Sequence, residues 1–224
     1  MYTVWTICMS TPIALKRRPK ITTATLDDRR AGAAAAKYGT ASDAVLKTAN
    51  ALFYRSGFSR VSVDDIARAA GVTKRTLYYH FPSKAALIEA YLSQRDESSR
   101  FWLISEASKD RRQGTERLAG VFAVLAQWFQ APDFNGCAFQ NAASVWTEFH
   151  DAVLPHVFRH KESIRDWMML EASHTLASDP RQLADQLMLI FDGAIAGMMT
   201  RKDPAIAASA QIAAATLLRA SGAA

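Results

Sequence analysis

The chain has 224 residues, of which 50% are hydrophobic, 21% charged and 10% aromatic, enough apolar material for one or two cores and too much for a disordered chain. With 10 Gly and 7 Pro it is not a loop-rich or all-β protein, and its two cysteines, Cys8 and Cys137, exclude a disulfide scaffold and a four-thiolate zinc site. The net charge of +6 is unevenly shared: residues 1–92 carry a net +8 and residues 93–224 a net −2, which suits a polyanion binder or a solvated basic face, and charge alone does not choose between them.

No run of about 18 apolar residues occurs, so no membrane span is expected. The mildly apolar stretch Met1 to Pro12 precedes Lys16-Arg17-Arg18-Pro19-Lys20. That order is the reverse of a secretory signal, and the expected location is cytoplasmic, with reduced thiols.

Residues 1–40 hold little that could form a core and read as a flexible basic arm. From Ser42, a good N-cap, Val45, Leu46, Ala49, Leu52 and Phe53 recur at helical spacing until Gly57. Ser62 opens a second helix, with Asp65 three residues on as a weaker version of a capping box, Ile66, Ala67 and Ala70 inward, and Gly71 as its stop. Thr73 caps a short third helix containing Leu77 and Phe81. Ser83 caps a long fourth helix through Ala85, Leu87, Ile88, Tyr91 and Leu92. Further helices are predicted over Leu118 to Phe129, over 138–149, from Pro155 to about Leu176, from Asp179-Pro180 through Met198, and from Asp203-Pro204 to the end. The total is about nine helices, with no convincing strand.

The two short helices meeting at Gly71 form a helix-turn-helix candidate. At about 100° per residue, turning Leu77 inward sends Arg75 and Tyr79 outward, with Thr76 and Tyr78 beside them. The exposed face then presents Lys74, Arg75, Thr76, Tyr78, Tyr79 and His80. Cations can neutralise phosphates or read guanine, the threonine methyl can touch thymine, and tyrosine hydroxyls can bond phosphate. Ser62 and Lys84 stand at helix starts, where free N–H groups attract phosphate. The other reading of the tyrosines is ordinary packing in a three-helix domain.

The stretch Gly57-Phe58 followed by Ser62-Val63-Asp64-Asp65-Ile66-Ala67-Arg68-Ala69-Ala70-Gly71-Val72-Thr73-Lys74-Arg75-Thr76-Leu77-Tyr78-Tyr79-His80-Phe81-Pro82-Ser83-Lys84 closely resembles the DNA-binding domain of the TetR/AcrR family of transcriptional regulators. The likeness covers about residues 42–92. It implies an all-α fold: a helix-turn-helix domain at 41–92 and a helical ligand-binding and dimerisation domain at 93–224. It implies double-stranded operator DNA as partner, contacted by Thr73, Lys74, Arg75, Thr76, Tyr78, Tyr79 and His80, with Ser62, Val63 and Lys84 at the backbone. Family members often have Thr at the position of Val63, so a phosphate-bonding hydroxyl is missing here, and Ser62 is left to take that role.

Residues 101–170 are rich in aromatics, and an aromatic cavity with a few polar groups is the usual form of a small-molecule site. The candidates for an effector of unknown identity are Trp102, Phe122, Trp128, Phe129, Phe139, Asn141, Trp146, Phe149 and Trp167; filling a helical core is the other use of such rings. In the last two helices Gly193, Ala194, Ala196 and Gly197 permit close approach. Leu183, Leu187, Ile190 and Met198 on one, and Ile206, Ala213 and Leu217 on the other, form stripes that could build a four-helix homodimer interface. Packing within the chain would use the same stripes; the resemblance favours the dimer.

His150, His156 and His160 approach metal-ligand spacing but lack the Glu-bearing motif of the zincins. Cys137 has no basic neighbour in sequence and reads as a buried structural cysteine rather than a redox sensor. No phosphate-binding glycine loop or nucleophile elbow is present. The expectation is therefore a non-enzymatic, cofactor-free, ligand-responsive DNA-binding regulator, more a repressor than an activator. The alternatives are a small-molecule sensor or carrier that no longer binds DNA and a metal-binding helical protein using the three histidines.

Overall fold

The computed structural model describes residues 41–144 and 149–223. Among the described residues it has nine α-helices and no strand: α1 (Ala41–Ser56), α2 (Val63–Ala70), α3 (Lys74–His80), α4 (Lys84–Ser108), α5 (Thr115–Trp128), α6 (Ala138–Ser144), α7 (His150–Ser173), α8 (Pro180–Arg201) and α9 (Ala205–Ala220). The all-α expectation holds. The basic arm of residues 1–40 and Trp146 lie outside the described residues. The chain divides into two compact units, Met1–Leu92 and Ser93–Ala224.

In the first unit α1 packs on α2 and α3, and α2 on α3. Val45, Ala49, Ile66, Leu77, Leu87 and Ile88 are fully buried there. Phe53, Phe58 and Tyr91 close edge-to-face, with ring centroids 5.3, 5.6 and 5.9 Å apart. α2 begins with a complete capping box between Ser62 and Asp65, and ends on Gly71 in the left-handed region at φ +69°. The Gly71 and Val72 N–H groups then bond back to Arg68 and Ala67 carbonyls, the tight reversal that aims α3. Ser42 was expected to cap α1 but lies inside it, because the helix already includes Ala41.

In the second unit α7 packs against α5, α6 and α8, and α9 packs against α5 and α8. Gly120 lets α5 pass close to the end of α4: a Cβ there would come within 2.5 Å of the Ala107 carbonyl oxygen. Pro155 does not start its helix. α7 begins at His150, and Pro155 sits in its second turn. The lost bond would have gone to the carbonyl of Asp151, an exposed residue whose oxygen water can satisfy.

The stripes of the last two helices also differ from expectation. On α9 the buried residues are Ile206, Ala210, Ala214 and Leu218, while Ala213 is exposed and Leu217 half-buried. On α8 Leu183, Ala184, Leu187, Met188, Phe191, Ala194 and Ile195 are buried, with Ile190 and Met198 only half-buried. An alanine-rich helix offers several near-equal stripes, and packing chose its neighbour by one residue. α8 is also long and apolar enough to cross a membrane by length and composition, which the sequence reading had excluded. It packs between α7 and α9 and buries one side against them, as a core helix does.

Candidate functional site

α3 is held by a single buried side chain. Leu77 is fully buried, Tyr79 is 83% exposed and Tyr78 40% exposed, and Lys74, Arg75 and His80 are exposed as well. Thr76 is half-buried. The helical rotation read from the sequence therefore reproduces the exposed face. Tyr79 and His80 meet edge-to-face at 5.2 Å. Thr73 caps the helix, its Oγ1 accepting from the Thr76 N–H at 3.0 Å and lying 2.8 Å from the Thr76 hydroxyl.

The face is not made of cations alone. Lys74 Nζ lies 3.0 Å from Asp64 Oδ1 on α2, and the bond to Asp64 raises the Lys74 pKa. Ser62 is also engaged: its hydroxyl donates to Asp65 Oδ2 at 2.6 Å and accepts from the Asp65 N–H at 3.1 Å. Those bonds to Ser62, helped by Arg68, hold the Asp65 carboxyl below its ordinary value. Val63 departs further from its expected role. It is 8% exposed, so its side chain belongs to the core and only its backbone faces outward chemistry.

The two helix starts thus differ electrostatically. α2 carries Asp64 and Asp65 in its first turn; Asp65 closes the capping box with Ser62, and both negative charges oppose a further anion there. α4 has no acidic residue in its first turn, begins with Lys84, and is capped by Ser83, whose hydroxyl accepts from the Ala86 N–H at 3.0 Å. Of the two helix starts, the one at α4 carries the charge that favours an anion.

In the second unit Trp128 and Phe129 each meet Phe134 at 5.2 Å between ring centroids, and Trp102 meets Trp128 at 6.4 Å. Phe122, Phe129 and Phe139 are buried, whereas Trp102, Trp128, Phe149, Trp167 and Asn141 are half-buried. Asn141 donates to the Asn135 carbonyl at 2.8 Å, a loop-closing bond. Phe139 is stacked on His160. Two open clefts of about 360 and 330 Å³ are lined by other residues, such as Glu106 and Arg111 in one and Glu116 and His174 in the other.

The three histidines do not assemble. His156 approaches Arg159 at 2.6 Å and Ser93 at 3.5 Å, whereas His160 is buried against Asp96 at 2.8 Å. Among the described residues no three His, Cys, Asp or Glu side chains group to hold a metal. The partners the sequence missed surround Cys137. His160 hydrogen-bonds it and the Lys161 charge acts on it, although both stand more than twenty residues away in sequence. Only the fold could bring them there.

A family model described as bacterial regulatory proteins, tetR family, matches residues 45–91. A solved structure of a TetR transcriptional regulator from Streptomyces avermitilis is 30% identical, covers 83% of this chain and 100% of its own, and superposes with a TM-score of 0.72. The chain belongs to the TetR family. SCO4454, a TetR-family regulator from Streptomyces coelicolor, is 28% identical over 81% of this chain and 96% of its own, also with a TM-score of 0.72. Among curated sequences, the transcriptional regulator TtgR of Pseudomonas putida is 39% identical over 54 residues, which is 24% of this chain and 26% of TtgR. The chain spans about a quarter of the length of the curated TetR relatives it matches.

Proposed function

We propose that this protein is a ligand-responsive transcriptional regulator that binds a near-palindromic DNA operator as a homodimer and acts as a repressor. The observation that carries the reading is α3, a seven-residue helix anchored by Leu77 whose other side presents Lys74, Arg75, Tyr78, Tyr79 and His80 to solvent. In this reading α3 enters the major groove. Arg75 and Lys74 meet guanine or phosphate, Thr73 and Thr76 meet bases or backbone, and the tyrosines bond phosphate while packing on sugar. Lys84 and the capped start of α4 pin one phosphate. Ser62 and Val63 contribute through the backbone of α2 rather than through their side chains.

The dimer forms through α8 and α9, whose outward sides carry Leu189 and Ile212, 74% and 68% exposed. Each half-site then receives one α3. A small molecule binds in the second unit beside the Trp102, Trp128 and Phe129 cluster, with Phe122, Phe139, Asn141, Trp146, Phe149 and Trp167 as the further candidates. It favours a dimer geometry that no longer fits the half-site spacing. A differential stabilisation of about 1.4 kcal/mol changes operator affinity tenfold once the competent state is the minor one. A chain that works on DNA in this way has no need of catalysis and acts in the cytoplasm.

The test is selection from a random duplex library by the purified full chain. Enrichment of two inverted half-sites supports the reading. Recovery of no sequence, together with tight binding of small molecules, would leave a sensor or carrier without a DNA target.

A further inference from the structure

A buried polar cluster in the second unit has no part in reading DNA. Cys137, just before α6, is 5% exposed; His160, on α7, is 4% exposed; Asp96, on α4, is 5% exposed. His160 Nδ1 lies 2.8 Å from Asp96 Oδ1, and Arg100 supports the same carboxylate at 3.3 Å. The imidazole lies flat on the Phe139 ring, centroids 3.8 Å apart and planes 12° off parallel. Its position and orientation are therefore set from two directions. A hydrogen bond from His160 also acts on Cys137 and favours its thiolate. The Gln140 N–H donates to the same sulfur.

Lys161 adds a positive charge beside the thiol. Its ammonium pairs with Asp192 at 2.5 Å and sits 5.7 Å from the centre of the Phe191 ring. The buried Gln140 Oε1 has no hydrogen-bond partner among the described residues. A cysteine that only fills space needs none of these groups, and burying so many charges is costly unless their geometry is used. The order of groups, carboxylate to imidazole to sulfur, is that of an activated nucleophile.

We propose that Cys137, His160 and Asp96 form a covalent ligand site that captures a small α,β-unsaturated carbonyl compound. Cys137 Sγ, as thiolate, attacks the β-carbon and a carbon–sulfur bond forms. The electron pair of the C=C bond moves to the carbonyl as an enolate, which the Lys161 charge favours. The enolate takes its proton from the His160 imidazolium, leaving a neutral thioether and a neutral imidazole. Atoms and electrons balance with no co-reactant.

The charge states support the step. Burial pushes the Cys137 thiol up, but the Lys161 charge and the His160 hydrogen bond outweigh it and bring the pKa down to about 6. Burial pushes His160 down, and its bonds to Asp96 and Cys137 outweigh that and raise it. Asp96, Arg100, Lys161 and Asp192 are the other charged groups around the pair. Access is provided next door: Met199, 36% exposed, packs over the Cα of Gly136, and an unbranched thioether there can swing aside. This site stands independently of the DNA-reading proposal.

The experiment uses the full chain carrying Cys8→Ser, which leaves Cys137 as its one thiol. Methyl vinyl ketone is added across a pH series and adduct formation is followed by intact-protein mass spectrometry. The expected result is one adduct per chain, absent in Cys137→Ser, with a rate that rises through a midpoint near pH 6 and then levels. In His160→Gln, folded by circular dichroism, the midpoint moves up by more than one unit towards the ordinary thiol value of about 8.5. Should that variant fail to fold, the midpoint of the parent decides alone. A midpoint at the ordinary thiol value, or a Cys137 that reacts only after denaturation in urea, would overturn the proposal.

Discussion

The ammonium of Lys74 and the carboxylate of Asp64 lie 3.0 Å apart, so the first cation of α3 is paired within its own helix-turn-helix before any DNA arrives. Contact with phosphate must replace that pair, and both partners are more than half exposed, so water and salt ease the exchange. Asp64→Asn is expected to raise affinity for random duplex DNA severalfold. The slope of log affinity against log salt should change by much less than the roughly 0.9 of one phosphate contact, because Lys74 meets the same phosphate in both chains. Fluorescence anisotropy over a salt series checks both.

Glu171 holds the second unit in a different way. It is 2% exposed, accepts from the Gly114 N–H at 2.8 Å and pairs with Arg117 at 3.0 Å, tying the turn before α5 to the end of α7. Removing one partner of a buried pair strands the other. Glu171→Ala should cost about 3 kcal/mol in urea unfolding, and Glu171→Gln less, because the amide oxygen still accepts from Gly114.

Asp96 sets an acid limit. Burial raises its pKa, but the bonds from His160 and Arg100 outweigh this and hold it below the ordinary value. A carboxyl lowered in the folded state adds stability above its unfolded pKa and loses it as pH falls through the folded one. Asp96→Asn should therefore destabilise the chain at neutral pH and flatten the fall in stability on acidification. Thermal melting from pH 7 down to 3 would show it.

Leu189 and Ile212 are large apolar side chains left in water on α8 and α9. At Gly193 no atom stands within 4 Å of where a Cβ would be, so this side of α8 is open to a close approach. Leu189→Glu combined with Ile212→Glu should convert the proposed dimer to monomer, with the melting curve of each unit otherwise kept. Analytical ultracentrifugation distinguishes the two states.

The helix-turn-helix was readable because its determinants are local. Ser62 and Thr73 cap three residues ahead, Gly71 turns the chain, and Leu77 alone sets the rotation of α3. What lay hidden was non-local. Nothing near Lys74 announces that Asp64 will claim it, and the 64-residue separation of Asp96 and His160 conceals their bond. Cys137 looked inert because its basic neighbours arrive only when α7 packs beside α6. The stripe on α9 slipped because alanines at 210, 213, 214 and 215 make neighbouring registers almost equal in hydrophobicity. Pro155 misled because proline usually opens a helix, whereas here an exposed second turn tolerates it.

The central claim is that α3 reads sequence. Its most direct test is anisotropy of the full chain on a duplex recovered by selection, beside a scrambled duplex, at two salt concentrations, with a Lys74→Ala, Tyr79→Ala double variant in parallel. The account predicts a preference for the selected duplex of about a thousandfold or more that survives at higher salt and is lost in the variant. Equal, salt-sensitive binding of both duplexes by the wild-type chain and the variant alike would contradict it.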